Sequence, residues 1–194
     1  MAKIAWKPGT MVYPLPAVMV SCGNEQTGLN IITIAWTGTI CTNPPMCYIS
    51  VRPERHSYEI IKKTGDFVIN LTTKKLAFAT DWCGVKSGKD FDKFKEMNLT
   101  PGKAQKVISP IIKESPINIE CAVKEIKALG SHDMFIAEVV AINADEKFFN
   151  KENDVFDLAK AEPICYSHGK YYMLGDLIGT VSYTHLTLPT KRIV

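Results

Sequence analysis

The chain is poor in the features that would place it in several large classes of protein. None of its apolar runs approaches the ~20 residues that a membrane-spanning helix needs, so no membrane insertion is expected. Positions 1–10 set Lys3 and Lys7 among only a few apolar residues, without the apolar core of a secretory signal. A cytoplasmic protein is expected. Charge of one sign is also scarce: the net charge is +3, and the lysines are scattered in small groups such as Lys62 and Lys63 or Lys74 and Lys75. That excludes the dense basic face of a nucleic-acid binder but leaves room for a local anion site. The six cysteines form no CxxC pair, so no metal centre is expected, and they read as small buried residues of a reducing compartment. No GxGxxG, GxxxxGK[ST], GxSxG or HExxH occurs, which removes the dinucleotide fold, the P-loop, the serine-hydrolase elbow and the zinc protease. Internal repeats and low-complexity runs are missing as well.

What remains is a 194-residue chain with 46% hydrophobic and 22% charged residues, enough to bury one sizeable core. Its first half reads as strands broken by turns. Val18 to Cys22 and Leu29 to Trp36 are apolar and β-branched around a polar turn at Gly23 to Gly28, the pattern of a hairpin. Cys47 to Val51 forms a further strand after Pro44 and Pro45. Pro53 then opens a short helix through Tyr58, Ile60 and Ile61 that Gly65 stops. Phe67 to Leu71 returns to strand, and Thr72 or Thr73 is expected to cap a second helix that ends at Gly84. The charged stretch Lys86 to Lys95 reads as a functional loop. Ile117 to Leu129 and Met134 to Ile142 flank a turn at Gly130 to Asp133, which makes a second hairpin. The fold class is mainly β with helical insertions, a partly closed antiparallel barrel.

Three segments could carry chemistry. Ser50 to Ser57 hands a strand over to a helix start rich in donors: Arg52, Arg55, His56 and Ser57. Free backbone N–H groups, the helix dipole and two guanidinium groups favour a phosphate or carboxylate there, although Ser57 and Arg52 could equally serve as a cap and a surface ion pair. Asn30 to Thr39 surrounds Trp36 with small and hydroxylated residues, suited either to an aromatic ligand or to a core tryptophan. Ser87 to Phe94 sets lysine beside aromatic residues, as a solvated loop or as a reach toward a phosphate or flavin edge. His132 occupies a turn where Asp133 could fix its tautomer.

Tyr13-Pro14-Leu15-Pro16, Asn30 to Asn43, Arg52 to Tyr58, Thr64 to Asn70, Ser87 to Phe94 and Gly130-Ser131-His132 follow one another in an order that resembles the flavin reductase-like FMN-binding split-barrel proteins, and their flavoredoxin-like branch in particular. The resemblance implies a split β-barrel, antiparallel and Greek-key-like, that works as a homodimer. It implies FMN with its phosphate at Arg52, His56 and Ser57 and its ring along Asn30, Thr33, Ala35, Trp36 and Thr37, with Ser50 as a further cofactor contact. Lys93, His132 and Tyr166 would complete that pocket.

The implied chemistry is flavin-reductase-type electron transfer from NAD(P)H to a flavin, ferric iron or a redox-partner protein. An electron carrier that does not oxidise NAD(P)H, or a non-catalytic flavin-binding module, are the alternatives. The domain is expected over 1–180. After Leu174 to Gly179, which matches the family's closing motif, Ser182 to Val194 departs from it and reads as a cloning or sequence-assembly scar.

Overall fold

A computed structural model describes residues 1–180; the expectation for Ser182 to Val194 lies outside the described residues. The two hairpins form as the alternation requires. Strand β2 (Val18–Cys22) pairs with β3 (Asn30–Ile34) from Val18 opposite Ile34 to Cys22 opposite Asn30. The long strands β9 (Ile117–Ala128) and β10 (Asp133–Ala144) pair antiparallel, with register shifts near Ala137 and Val139 that bend the ribbon. With β4 (Thr37–Cys41), β5 (Met46–Val51) and β6 (Asp66–Leu71) they make one antiparallel sheet in the order β3-β2-β6-β9-β10-β5-β4.

The strand expected over Leu29 to Trp36 ends early, at Ile34. Ala35 and Trp36 form a bend, after which the chain leaves the β2 edge and joins β5 at the opposite edge of the sheet. The Ser50 N–H bonds the Trp36 carbonyl at 2.9 Å across this corner. Because consecutive strands occupy the two edges, the sheet must curl into a half-barrel, and the corner lies at its split.

Side-chain alternation then builds two cores. Val18, Val20 and Cys22 face the barrel interior with Ile49, Phe67, Cys121 and Phe135, and helix α1 (His56–Thr64) closes it with Tyr58, Ile60 and Ile61. Met19 and Ile31 point the other way, under α2 (Ala77–Val85) and α3 (Lys93–Glu96), against Leu76, Cys83, Phe94 and Ile112. Strand β2 is therefore buried on both faces, as its unbroken burial shows. Gly65, at φ 73°, closes α1 as expected. Helix α2 differs from expectation: a 3-10 turn at Lys74–Leu76 precedes it, its start has no side-chain cap, and it runs through Gly84 to Val85. Gly84 is not a stop but a contact point, since a Cβ there would sit 3.2 Å from the Thr33 Cβ.

The cysteines are all free, four of them buried, whereas Cys41 and Cys165 are half-buried. Cys47 and Cys121 face each other at 3.5 Å between their sulfurs inside the barrel. A small separate sheet joins β1 (Leu15–Pro16), β11 (Ile164–Ser167) and β12 (Lys170–Met173), which brings Tyr166 beside Tyr13.

Carboxylates hold the irregular segment 103–110 in place. Glu120, fully buried on β9, accepts the N–H groups of Gln105 at 2.8 Å and Lys106 at 2.6 Å and the Asn143 amide at 2.8 Å. Burial alone would raise its pKa, but these donors outweigh it and hold the carboxyl below the usual range. A depressed carboxyl stabilises the fold above its unfolded-state value and loses that contribution as pH falls through the folded value. Glu120→Gln is therefore expected to cost about 2–4 kcal/mol at pH 7, because an amide –NH2 must face a backbone donor. Urea unfolding of both proteins at pH 7 and near pH 3.5 checks this: the gap should shrink in acid, and a constant gap would contradict it.

Candidate functional site

Two adjoining cavities open at the split of the barrel, and they share Ile32 and Arg55. The larger, ≈ 460 Å³, lies at the β3–β4 corner between Thr33 of β3 with Ala35 and Trp36 of the bend on one side and Ser50 of β5 with Arg52 just beyond it on the other. His132 from the β9–β10 turn, Tyr13 and Tyr166 complete its wall. The smaller, ≈ 230 Å³, sits over the start of α1 and is lined by Asn30, Arg55, His56, Ser57, Gly88 and Lys93 among others.

The lining of the smaller cavity is mostly positive or polar. Helix α1 begins at Arg55 with no side chain capping its first N–H groups, so the positive end of the helix stays open beside the cavity. Arg55, Lys86, His56 and Lys93 supply positive or polar groups, and Glu54 is the only carboxylate on the lining. Lys93 is 4% exposed, and its ammonium donates to the carbonyls of Ile31 and Cys83, each at 2.7 Å. No carboxylate pairs with it among the described ion pairs, and burial pushes its pKa below the ordinary lysine range. Burial, aided by Lys89 and Lys93, likewise lowers His56 and favours its neutral form.

Asn30 and Ser57 form the floor of this cavity. The Asn30 amide donates to the Ser57 hydroxyl at 2.8 Å across a separation of 27 residues. Asn30 Oδ1 is left as a buried acceptor with no partner. Burying such a group costs free energy unless something donates to it. Gly88 lies directly over it, where an added Cβ would come within 2.1 Å of Oδ1. Only glycine lets the loop backbone close on the cavity this tightly.

In the larger cavity Trp36 is 41% exposed and meets the His132 ring edge-on, centroids 4.5 Å apart. Burial and the nearby Arg52 push the His132 pKa down. Asp133 does not orient this histidine: it accepts the Tyr58 hydroxyl at 2.6 Å, while His132 Nδ1 lies 2.9 Å from the Ser131 hydroxyl. Tyr13 packs on Tyr166 and His168 with centroids 5.9 and 4.3 Å away.

The expected site residues thus fall into separate groups. Asn30, His56, Ser57 and Lys93 meet in the small cavity, and Thr33, Ala35, Trp36, Ser50, Arg52, His132 and Tyr166 line the large one. Arg52 does not line the small cavity with Ser57; Arg55 does. Thr37 lines neither cavity, because the corner turns it inward and its hydroxyl donates to the Tyr48 carbonyl at 2.6 Å. The Thr33 hydroxyl is tied to the Thr80 carbonyl of α2, which leaves its backbone to face the cavity. Lys93 is the first residue of a helix and not part of a solvated loop. Tyr13 and Gly88 are among the lining residues that the expected set lacked, although each lies inside a quoted motif, and Arg55, read only as a donor of the helix start, lines both cavities.

Known proteins resemble this chain in sequence and fold. An uncharacterised protein of Pyrococcus abyssi is 30% identical over 139 residues, 72% of this chain and 79% of that protein. The solved flavoredoxin of Desulfovibrio vulgaris (Miyazaki F) superposes with a TM-score of 0.86 at 26% identity, covering 95% of this chain and 100% of that one. Flavoredoxin from Methanosarcina acetivorans gives a TM-score of 0.86 at 25% identity, covering 95% and 97%. The flavin reductase like domain matches residues 10–175, which takes in every strand of the half-barrel and both cavities. By its sequence over that span and by its curled antiparallel sheet, the chain belongs to the flavin reductase-like family.

Proposed function

We propose that the protein is an FMN-dependent oxidoreductase of flavin reductase type, taking electrons from NAD(P)H and passing them to a flavin, ferric iron or a redox-partner protein. The observation that carries this reading is the small cavity: an unpartnered buried acceptor at Asn30 beside an open helix start, Arg55 and a buried lysine without a carboxylate. A ribityl phosphate fits that donor set, since its hydroxyls can donate to Asn30 Oδ1 and its phosphate can accept from the α1 N–H groups, Arg55 and the third Lys93 proton. The flavin, when bound, supplies the electron-carrying chemistry itself.

The protein's own residues then hold and shield. Arg55, Ser57 and Lys93 anchor the phosphate end, while the Thr33–Trp36 backbone, Ser50 and His132 border the ring compartment. A neutral His132 can donate or accept a hydrogen bond at the ring edge without adding a charge. Two copies of the 1–180 domain forming a homodimer would cover the exposed Ile40 of β4. Six free thiols suit a cytoplasmic setting.

The test is the visible spectrum of the purified protein followed by identification of the flavin released on heating, then steady-state NAD(P)H oxidation with added FMN and with a ferric chelate. Bound FMN and turnover above background are expected. A colourless protein that takes up no added FMN overturns the cofactor, and FMN without turnover overturns the reductase. The likeness to two flavoredoxins favours, as the second reading, a carrier that reoxidises only with a protein partner.

A further inference from the structure

We propose that Arg52 makes the ring compartment selective for a planar substrate that carries an anionic group. This rests on the flavin reading above, because it concerns the second molecule that must share the larger cavity with the flavin ring.

Several observations converge on it. Arg52 lines the larger cavity and is absent from the smaller one, so the phosphate cradle is complete without it. Its only side-chain partner among the described residues is Glu54, at 3.4 Å, with the two side chains 48% and 64% exposed. An exposed pair at that distance holds a guanidinium weakly and gives it up readily to a better acceptor. No carboxylate lines the larger cavity, so nothing within it neutralises Arg52 or repels an anion. His132 does not compete for the role, since burial and Arg52 itself favour its neutral form, and Arg55, which lines this cavity too, is committed to the FMN phosphate in the flavin-loaded protein.

The rest of the wall suits a flat molecule. Tyr13 and Tyr166 stand together there, with His168 packed behind Tyr13, and Trp36 presents its exposed ring beside His132. Aromatic faces of this kind hold planar groups by stacking but discriminate poorly between charged and neutral ones. A planar guanidinium supplies that discrimination through a paired hydrogen bond to a carboxylate or phosphate. The shared chemistry is therefore an anion close to a planar ring, which a small aromatic acid or the nicotinamide nucleotide could each provide.

Calorimetric titration of the flavin-loaded protein tests this with two matched pairs: benzoate against benzamide, and nicotinamide mononucleotide against nicotinamide. In at least one pair the anionic member should bind ten times more tightly than the neutral one or better. Arg52→Gln should erase that preference while leaving FMN affinity within about twofold, and Arg52→Lys should keep only part of it. The pair that shows the preference identifies the source of the anion. Equal affinities in both pairs, or a preference that survives in Arg52→Gln, would overturn the proposal. Loss of FMN in Arg52→Gln would also overturn it, by returning Arg52 to the cradle. FMN affinity is measured first, so a protein that never binds flavin sinks the underlying reading separately.

Discussion

Arg55→Ala combined with Ser57→Ala is expected to weaken FMN binding by about a hundred- to ten-thousandfold, because each removes a charge-assisted contact of roughly 1.5–3 kcal/mol from the phosphate end. Arg55 borders both cavities, and Ser57, 1% exposed, is the partner of the Asn30 amide. Removing Ser57 also frees that amide, so Asn30 loses its fixed orientation along with the hydroxyl. Riboflavin, which lacks the phosphate, provides the control: its affinity should fall far less than that of FMN, since it loses only the ribityl contact to Asn30. Fluorescence titrations with both flavins measure the difference. Equal losses for FMN and riboflavin would show that the cradle does not read the phosphate. The exposed Arg55 should alter thermal stability little by itself.

Asn70→Ala should be the most destabilising of the substitutions considered, by about 3–5 kcal/mol, because it leaves several buried polar groups unpaired at once. Its amide donates to the Met19 carbonyl at 2.9 Å, the Ser21 hydroxyl at 2.9 Å and the Val68 carbonyl at 3.1 Å. Its oxygen accepts from the Ile112 N–H at 2.9 Å and the Asn118 amide at 2.8 Å. One fully buried side chain thereby ties β2, β6, β9 and the segment before Ile112 together beneath α2 and α3. Urea unfolding should show a lower midpoint with an unchanged slope. A cost below about 1 kcal/mol would mean that relaxation or water satisfies these groups. Flavin affinity should fall far less than stability does, because Asn70 lines neither cavity.

The sequence by itself determined the local elements, since hydrophobic alternation and turn residues act over a few neighbouring positions. Both hairpins, the β6 strand and the helix stop at Gly65 stand where those signals place them, whereas α1 starts at His56, three residues after the Pro53 expected to open it. The donor-rich stretch from Arg52 to Ser57 was equally legible, because an anion site at a helix start needs residues that are close in the chain. Family resemblance, carried by motifs in order, extended this to a flavin and a half-barrel.

The tertiary structure alone decided which of those side chains meet. The corner at Ala35 and Trp36 moves the chain from one sheet edge to the other, which turns Thr37 to the Tyr48 carbonyl and away from the cavity. A change of strand partner leaves no local signature, because each half still reads as good strand. The turn of backbone after Pro53 puts Arg55 over the cradle and Arg52 beside the aromatic wall. Both are arginines in a polar segment, and only the direction of the backbone separates their roles. By local pattern Lys93 reads equally as a solvated charge or as a reach toward a ligand; α3 folds it under the loop so that its ammonium meets two carbonyls from β3 and α2. Asn30 with Ser57 and Tyr13 with Tyr166 are contacts between distant parts of the chain, fixed by sheet closure and packing and not by any pattern a short window of sequence contains.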